Sequence, residues 1–445
     1  MKMKKLKITV LLWAFLPCIL MAQHQIQGTF SPAEHYTYAI LYQSTPTALH
    51  YVDRAKIGND GHFEIALDAS VEAGMYQIVY GIPQDENSFD FIYDGKEDIR
   101  LTFSLENGLE FKESSENKLW ASYTNSMELV NMTISNYYAQ ESADKKAFTD
   151  IFKTLKDTQI AFEEASKDKM VSTFIQANRP YIPSEYETAE TYSNNLKSNF
   201  LKNVDFGNAL LQSSDFLIDR VIAYVFGITS TNNNHHYKSN IDTVAKAIGN
   251  DKPFVSTVLL EHLWKKMVEI GNLEVANYIS DTYLFKLARD TNNKELYQNL
   301  MVYKNSAVGA TAMDFPIVYE NEGKPVNTSL HQLSGSSHYL LVFWSSTCGH
   351  CLDELPKLKS FLDEKPRDLK VVAFGLENNK EHWKQTITTL QGFIHVLGLE
   401  HWNNPVAMAY GIESTPTYLI LDKDKKIIYK PNTLAELKSD LNRLE

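Results

Sequence analysis

Hydrophobic and polar positions alternate along the first part of the chain, in short segments separated by turn residues. Five such segments are rich in aromatic and β-branched residues: YTYAILYQ, GHFEIAL, MYQIVYG, FDFIYD and IRLTFSL. A period of two places alternate side chains on opposite faces of a strand, so one face of each segment can be buried. The runs GNDG and DGKED supply turn chemistry between the segments. This pattern predicts a small β-sandwich over residues 23–112.

The hydrophobic period changes after residue 112. Segments such as KAFTDIFKTLKDTQIAFEEA and VSTVLLEHLWKKMVEIGN carry apolar residues three and four positions apart, as on one face of a helix. The polar run TSTNNNHHYKSN interrupts the pattern, and the sequence shows no repeat of fixed length. We therefore predict an irregular all-α domain over residues 113–305.

The last part of the chain alternates strand-like and helix-like segments. It follows the small-residue run NSAVGATAM, which is typical of a linker. HYLLVFW and LKVVAFG predict buried strands, TYLILD and KIIYK predict a hairpin, and TLAELKSDLNRL predicts a closing helix. Thr433 and Glu436 form a capping box at the start of that helix. Strands that alternate with helices indicate an α/β domain over residues 306–445.

A lysine-rich leader precedes these domains. The first seven residues hold four lysines, and an apolar run of 15 residues, 8–22, follows them. That run is short for a membrane-spanning helix, which needs about 20 residues. We interpret residues 1–22 as a signal peptide cleaved after Ala22, and we expect a periplasmic or cell-envelope protein without membrane association after cleavage. The alternative is an uncleaved membrane anchor.

Charge and cysteine content narrow the range of functions. The formal net charge of the 445-residue chain is −12, which argues against nucleic-acid binding because an acidic surface repels phosphate. Cleavage of the leader would remove Cys18 and leave two cysteines, Cys348 and Cys351. A single cysteine pair cannot form a disulfide framework for an exported chain of this size. We therefore expect the pair to have a reactive role and not a structural one.

The two cysteines lie in the segment FWSSTCGHCLDELP, residues 343–356. A structural zinc site needs four ligands, and the sequence has no second cysteine pair. A haem attachment site needs histidine directly after the second cysteine, where this chain has Leu352. A passive structural disulfide remains an alternative, but a CxxC segment between a strand and a helix is typical of a redox dithiol. We expect neither a metal nor a cofactor.

The predicted helix after the strand HYLLVFW sets the roles of the two thiols. A helix N-terminus carries partial positive charge and free N–H groups, so it stabilises a thiolate at its first residue. The thiolate is the attacking species in disulfide exchange. We therefore predict that Cys348 is the attacking thiol and that Cys351, nearly one turn further along, resolves the mixed disulfide.

Three segments carry a resemblance to a known fold. WSSTCGHC resembles the thioredoxin-fold motif, Pro356 matches the kink proline of its active-site helix, and ESTPTYLILD resembles the segment with its cis-proline. Within this fold, the sequence is most similar to the TlpA/ResA-like exported thiol-disulfide oxidoreductases. The segment MDFPIVYENEGKPVNTSL resembles the N-terminal extension of these proteins. The resemblance covers about 130 residues. The upstream regions resemble, more weakly, uncharacterised β and helical domains of some exported proteins.

This resemblance implies a thiol-disulfide oxidoreductase that exchanges disulfides with exported protein substrates and with a separate redox partner. It also implies a cis bond between Thr415 and Pro416. In this fold the residue before the cis-proline pairs with the backbone of an extended substrate. Trp344, Thr415 and Pro416 are therefore the expected substrate-binding residues.

Two departures from cytosolic thioredoxin concern the proton of Cys351 and the reduction potential of the dithiol. Val342 occupies the position of a buried aspartate, whereas Glu354, three residues after Cys351, matches a glutamate frequent in the TlpA/ResA-like subgroup. We predict that Glu354 takes or returns the proton of Cys351; the alternative is an ordinary solvated glutamate. Gly349 and His350 are predicted to tune the reduction potential, the imidazole by stabilising the Cys348 thiolate, unless His350 is merely exposed.

Two competing functions remain. A peroxiredoxin-like peroxidase uses Thr-x-x-Cys behind a proline, but Ser345 stands three residues before Cys348 and no proline precedes it in LLVFWSS. Alternatively, the protein is a binding protein whose β and helical domains recognise a partner, with the dithiol as an accessory redox module.

Overall fold

The computed structural model describes residues 24–84, 86–227, 233–321, 324–364 and 367–444. The predicted signal peptide, residues 1–22, lies outside the described residues. The chain divides into two compact units, Met1–Leu259 and Leu260–Glu445. Across the described ranges, no helix combines the length and the apolar character that a membrane crossing requires.

The first unit begins with two four-stranded sheets. Their strands are β1 (His24–Ser31), β2 (Tyr38–Ser44), β3 (Leu49–Lys56), β4 (His62–Leu67), β5 (Gly74–Val79), β6 (Ser88–Tyr93), β7 (Ile99–Ser104) and β8 (Gly108–Glu113). One sheet has the order β4-β1-β7-β8 and the other β3-β2-β5-β6. Strands β1 and β7 pair in parallel, and all other neighbours in these sheets are antiparallel.

The alternation seen in the sequence creates the core between these sheets. In β4, Phe63, Ile65 and Leu67 are buried while the residues between them are exposed. They join one hydrophobic cluster with buried residues of the other sheet, such as Leu41 and Ile78. The predicted β-sandwich is therefore confirmed.

Helices of unequal length make up the rest of the first unit. They are α1 (Ser115–Ala139), α2 (Lys145–Ala165), α3 (Ser172–Ala177), α4 (Ala189–Asn199), α5 (Ala209–Gln212), α6 (Phe216–Ile222) and α7 (Asn234–Ile248). Several of these helices begin with a polar capping residue whose side chain accepts a hydrogen bond from a backbone N–H of the first turn. Asp144, Thr188 and Asn233 cap α2, α4 and α7 in this way. The helical middle region predicted from the sequence is confirmed. The next helix, α8 (Pro253–Glu269), runs from the first unit into the second.

The second unit continues with helices and ends in a mixed α/β domain. Its further elements are α9 (Leu273–Ile279), α10 (Phe285–Asp290), α11 (Lys294–Ser306), β9 (Pro316–Asn321), β10 (Lys324–Ser329), β11 (His338–Trp344), α12 (Gly349–Glu364), β12 (Leu369–Glu377), α13 (Glu381–Thr386), β13 (Ile394–Leu399), α14 (Pro405–Tyr410), β14 (Thr417–Asp422), β15 (Ile427–Tyr429) and α15 (Leu434–Arg443). The α/β class is confirmed, whereas β13 and α14 were not predicted.

The central sheet of this domain has the order β13-β12-β11-β14-β15. Strands β11, β12 and β13 are parallel, so their carboxyl ends lie at the same edge of the sheet. Strand β14 is antiparallel to β11 and therefore begins at that edge. The register sets Val342 opposite Tyr418 and Phe343 opposite Thr417. This topology brings the segments after β11, at the end of β12 and before β14 together.

The segment predicted as a linker is an ordered part of this domain. The N–H of Gly309 donates to the carbonyl of Ile427, at 2.7 Å, and the N–H of Ile427 donates to the carbonyl of Ala310, at 2.9 Å. Ala312 is buried in the domain core. Residues 309–312 therefore pair with residues 425–427 beside β15, so the run predicted as a linker is ordered where it joins this domain.

Candidate redox site

Cys348 lies between the end of β11 and the first residue of α12, where it caps the helix. Its Sγ accepts a hydrogen bond from the backbone N–H of Cys351, at 3.2 Å, and its own N–H donates to the carbonyl of Ser345. A side chain that accepts from the third N–H of a helix satisfies one of the donors left free at the N-terminus. The sulfur of Cys348 therefore replaces the usual capping oxygen and lies at the positive end of the helix dipole.

The two cysteines are free thiols that face each other. The thiol of Cys351 donates to Sγ of Cys348 at 2.7 Å, and Sγ of Cys348 lies 3.4 Å from the carbonyl oxygen of Thr415. Cys348 is half-buried, whereas Cys351 is fully buried in the cluster beneath α12. A reaction partner in solvent can therefore reach Cys348 but not Cys351.

The surroundings move the pKa values of the two thiols in opposite directions. Partial burial opposes ionisation of Cys348, but hydrogen bonds from the side chains of Cys351 and Thr415 and from the backbone N–H groups of Cys351 and His350 outweigh it and lower its pKa. Burial raises the pKa of Cys351, and its hydrogen bond to Cys348 raises it further. The site therefore makes Cys348 the more readily ionised of the two thiols.

The segment with Thr415 and Pro416 lies beside Cys348, as the resemblance implied. The peptide bond between these residues is cis, and the segment leads directly into β14. Both side chains are half-buried. Their predicted role in substrate binding stays a prediction.

Trp344 does not line the surface of the site. Its side chain is 0% exposed and packs in the same cluster as Cys351, Val342 and Leu355. A fully buried indole has no surface with which to contact a bound polypeptide. We therefore assign Trp344 to the core beside the dithiol and correct its expected role as a substrate-binding residue.

Glu354 is held in a defined position one turn along α12. Its side chain is only 15% exposed, and Oε2 accepts a hydrogen bond from the hydroxyl of Tyr418, at 2.8 Å. Oε1 lies 3.2 Å from Nε2 of His350. The neighbouring Asp353 is exposed and pairs with Lys357. The geometry thus differs from that of a solvated helix glutamate, while the catalytic role of Glu354 stays a prediction.

Gly349 and His350 form the exposed first turn of α12. The His350 side chain is 68% exposed and pairs with Glu354, while the backbone N–H of His350 helps to lower the pKa of Cys348. A Cβ atom on Gly349 would meet no atom within 4 Å. Their role in tuning the reduction potential stays a prediction.

Sequence analysis missed two polar residues at the site, Tyr418 and Glu377. Tyr418 is buried on β14, and the alternation in TYLILD already places it on the same strand face as Ile420, beneath α12. Glu377 is the last residue of β12, directly after the apolar run VVAFGL, and is buried. Its Oε1 accepts from the N–H of Ser346 at 2.6 Å, and its Oε2 accepts from the Ser346 hydroxyl at 2.8 Å. A charged residue that ends a buried parallel strand was the available signal.

Glu377 is expected to hold the loop between β11 and Cys348. Replacement of Glu377 by alanine leaves two buried donors of Ser346 unpaired, so we expect a loss of about 2–4 kcal/mol in the free energy of unfolding. Chemical denaturation of the full-length protein measures this loss, with Glu381→Ala on the exposed start of α13 as the control. A loss no larger than that of the control would show that Glu377 does not anchor the loop.

Comparison with known proteins places the dithiol in a recognised domain. The model of the Redoxin family matches residues 307–442. Similar solved structures include the thioredoxin domain of a thiol-disulfide oxidoreductase from Bacteroides vulgatus, at 23% identity and a TM-score of 0.28, covering 31% of this chain and 97% of that one. A thioredoxin-like protein from Bacteroides caccae is 16% identical over 60% of this chain and 98% of its own, with a TM-score of 0.37. A domain of a possible thiol-disulfide isomerase from Cytophaga hutchinsonii is 26% identical over 31% of this chain and 92% of its own, with a TM-score of 0.27.

A comparison with curated proteins gives no significant match. The C-terminal domain is a redoxin, thioredoxin-like domain that resembles thiol-disulfide oxidoreductases, and β and helical regions precede it. These three structural likenesses have TM-scores below 0.5.

Proposed function

We propose that the protein is a thiol-disulfide oxidoreductase that exchanges disulfides with exported polypeptides through Cys348 and Cys351. The observation that carries this proposal is the opposite character of the two thiols. Cys348 caps α12, is reachable and has a lowered pKa, whereas Cys351 is buried against it with a raised pKa. An asymmetric pair of this kind suits one attacking thiol and one resolving thiol.

The exchange consists of two displacements at sulfur. The Cys348 thiolate attacks one sulfur of a substrate disulfide, that disulfide breaks, and the leaving sulfur takes up a proton. Cys351 then loses its proton and attacks Sγ of Cys348, which releases the second substrate thiol. The substrate gains two electrons and the protein holds a Cys348–Cys351 disulfide. A separate dithiol partner reduces that disulfide by the same steps, and the whole sequence can run in reverse.

The residues around Cys348 suit a polypeptide substrate. The backbone of Thr415 lies 3.4 Å from Sγ of Cys348, so a chain bound to this sulfur passes directly beside main-chain atoms. The side chain of Leu352, next to Cys351 on α12, is 44% exposed and adds an apolar surface. We therefore propose that Thr415 and Pro416 read the substrate through its main chain.

The narrower assignment to the TlpA/ResA-like subgroup is part of the proposal, as is export to the periplasm. The half-buried Glu354 supports the assignment to this subgroup, because its members often carry a glutamate three residues after the second cysteine. The proposed tuning by His350 and Gly349 belongs to the same assignment. It rests on the position of both residues in the first turn of the helix that Cys348 caps.

Reduction of insulin disulfides by the purified full-length protein, with dithiothreitol as electron source, tests the proposed function. We expect the protein to accelerate this reaction well above the rate of dithiothreitol alone. Consumption of hydrogen peroxide, measured in parallel, would instead indicate a peroxiredoxin-like peroxidase. Inactivity in both assays would contradict the proposal and favour a binding protein with an accessory redox module.

A further inference from the structure

A cavity of about 380 Å³ lies in the first unit, lined by residues of β5 and β6 and of α1, α3 and α6. The alternation of β6 places Phe91 and Tyr93 in the sandwich core and leaves Asp90 and Ile92 on the opposite face. Asn117 of α1 fixes this face by two buried hydrogen bonds. Its Oδ1 accepts from the N–H of Ile92 at 2.8 Å, and its Nδ2 donates to the carbonyl of Ile92 at 2.7 Å. The cavity has the volume of a small-molecule site.

Three carboxylates line this cavity and form its acidic end: Asp90, Asp215 and Asp219. Oδ2 of Asp90 accepts a hydrogen bond from the backbone N–H of Asp215, and Oδ1 accepts from the side-chain amide of Gln77, each at 3.1 Å. Burial and, after it, the negative charges of Asp215 and Asp219 raise the pKa of Asp90 to about 7. A cationic group of a ligand would offset the repulsion among these carboxylates.

Arg220 lines the same cavity without a carboxylate partner. Its Nη1 donates to Oδ1 of Asn178 and its Nη2 to the carbonyl of Phe200, each at 2.7 Å, so two of its five N–H donors are used. Within the described part of the chain it forms no ion pair, and its Nε is buried with no hydrogen-bond partner. Burial lowers the pKa of Arg220 to about 10, because a buried cation is costly unless an anion compensates it. An anionic group of a ligand would supply that compensation.

Helix α6 sets the spacing of the two charged regions. Asp215 and Asp219 are four residues apart and share one face of this helix, whereas Arg220 lies on another face with Phe216. The five positions from Asp215 to Arg220 correspond to about 7.5 Å along a helix. An extended chain covers about 3.3–3.6 Å per residue, so two or three residues span a similar distance.

An aromatic wall completes the cavity. It consists of Trp120, Phe174 and Phe216, whose ring centroids lie 5.6 Å (Trp120 to Phe174), 6.2 Å (Trp120 to Phe216) and 5.7 Å (Phe174 to Phe216) apart. Trp120 and Phe216 are only half-buried, so part of each ring is accessible. Accessible aromatic surface in a cavity suits an apolar side chain of a ligand.

We propose that this cavity binds a short peptide of two or three residues with free termini. The peptide carboxylate pairs with Arg220, the ammonium group faces the acidic end, and an apolar side chain packs on the aromatic wall. The charges of such a peptide at neutral pH complement the two charged regions at the spacing that α6 sets. This binding site goes beyond the proposed function and does not rest on it, because its residues all belong to the first unit and the dithiol belongs to the second.

Calorimetric titration of the full-length protein with two tripeptides, trialanine and Ala-Phe-Ala, tests the proposal. We expect saturable binding of one peptide per chain, tighter for Ala-Phe-Ala because its ring packs on the aromatic wall. Acetylation of the N-terminus or amidation of the C-terminus should each weaken binding about 10-fold or more, because each removes one charged contact. Free phenylalanine should bind more weakly than Ala-Phe-Ala, because its two charges are too close together to reach both regions.

Three outcomes of this titration would overturn the proposal. The first is no binding of either tripeptide at millimolar concentration, which would make the cavity a gap in the packing. The second is equal affinity for the free and the blocked peptides. The third is equal affinity for Ala-Phe-Ala and free phenylalanine, which would exclude a site built for a peptide.

Substitutions assign each terminus of the peptide to its contact. Arg220→Gln should weaken binding about 10-fold or more and abolish the difference between the free and the amidated peptide, an effect that a structural role alone would not produce. Asp219→Asn, at an exposed position that does not depend on the core, should weaken binding about 3-fold and reduce the difference between the free and the acetylated peptide.

Asp157→Asn is the matched control. Asp157 is an exposed aspartate of α2 that pairs with Lys153 and does not line the cavity. This variant should bind the peptides as the wild type does. Thermal melts of all variants show whether each is folded. A folded Arg220→Gln that still distinguishes the free from the amidated peptide, or an Asp219→Asn that binds all forms like the wild type, would overturn the assignment of the site.

Discussion

Cys348→Ser is expected to lower insulin reduction to the rate of dithiothreitol alone. A serine hydroxyl keeps the capping hydrogen bond from the N–H of Cys351 but is almost wholly protonated at neutral pH and forms no disulfide. The fold should therefore survive while the chemistry is lost. Turnover of insulin and a thermal melt of the same preparation measure the two effects separately.

Ser360→Ala, on the exposed side of the same helix, is the control for this substitution. It should keep the wild-type rate. Residual exchange by Cys348→Ser above the background would mean that Cys351 reacts directly with substrate. That result would contradict the roles assigned to the two thiols.

Cys351→Ser is expected to stop the reaction one step later. Cys348 keeps its position at the helix N-terminus and still attacks, but nothing resolves the mixed disulfide because the second thiol is absent. Multiple turnover should fall to background, and substrate should accumulate on Cys348. Intact-mass spectrometry should show one substrate equivalent per chain, released by dithiothreitol.

Two comparisons make this outcome specific. Cys348→Ser treated in the same way should carry no adduct. An adduct mapped to a residue other than Cys348, or full turnover by Cys351→Ser with a protein disulfide, would show that the buried thiol is not the resolving group.

Much of the fold could be predicted because burial follows the local sequence period. The alternation in GHFEIAL corresponds to β4, and the pair TYLILD and KIIYK forms the hairpin of β14 and β15. The order of the run predicted as a linker has a tertiary cause. Small residues such as those of NSAVGATAM suit a free linker, but the hydrogen bonds of Gly309 and Ala310 to Ile427 arise only once the sheet has formed.

The site shows the same division between local and long-range information. The sequence located Cys348, Cys351, Glu354 and the cis-proline because each belongs to a short motif. It missed Tyr418 and Glu377 because strand register, not sequence distance, brings β14 and β12 to the dithiol. The prediction for Trp344 was wrong for a related reason.

Trp344 is close to Cys348 in sequence, but the last residue of β11 points into the core of the domain. The sequence neighbourhood of Trp344 correctly predicted that it lies beside the dithiol. It did not show that the side chain is buried and not at the surface. The buried Glu377 at the end of β12 shows the converse. It is 31 residues from Ser346 and still holds that residue by two hydrogen bonds.

The asymmetry of the two thiols is the central claim, and the pH dependence of alkylation tests it most directly. Reduced full-length protein is treated with iodoacetamide across about pH 4 to 10, and labelled peptides are mapped by mass. The lowered pKa of Cys348 means that its thiolate persists below the usual range of a free cysteine, about 8.5, so labelling should fall only as pH drops through that lowered pKa. The account predicts labelling of Cys348 at pH 7 with Cys351 unlabelled. Preferential labelling of Cys351, or a Cys348 that titrates at or above the value of a free cysteine, would contradict it.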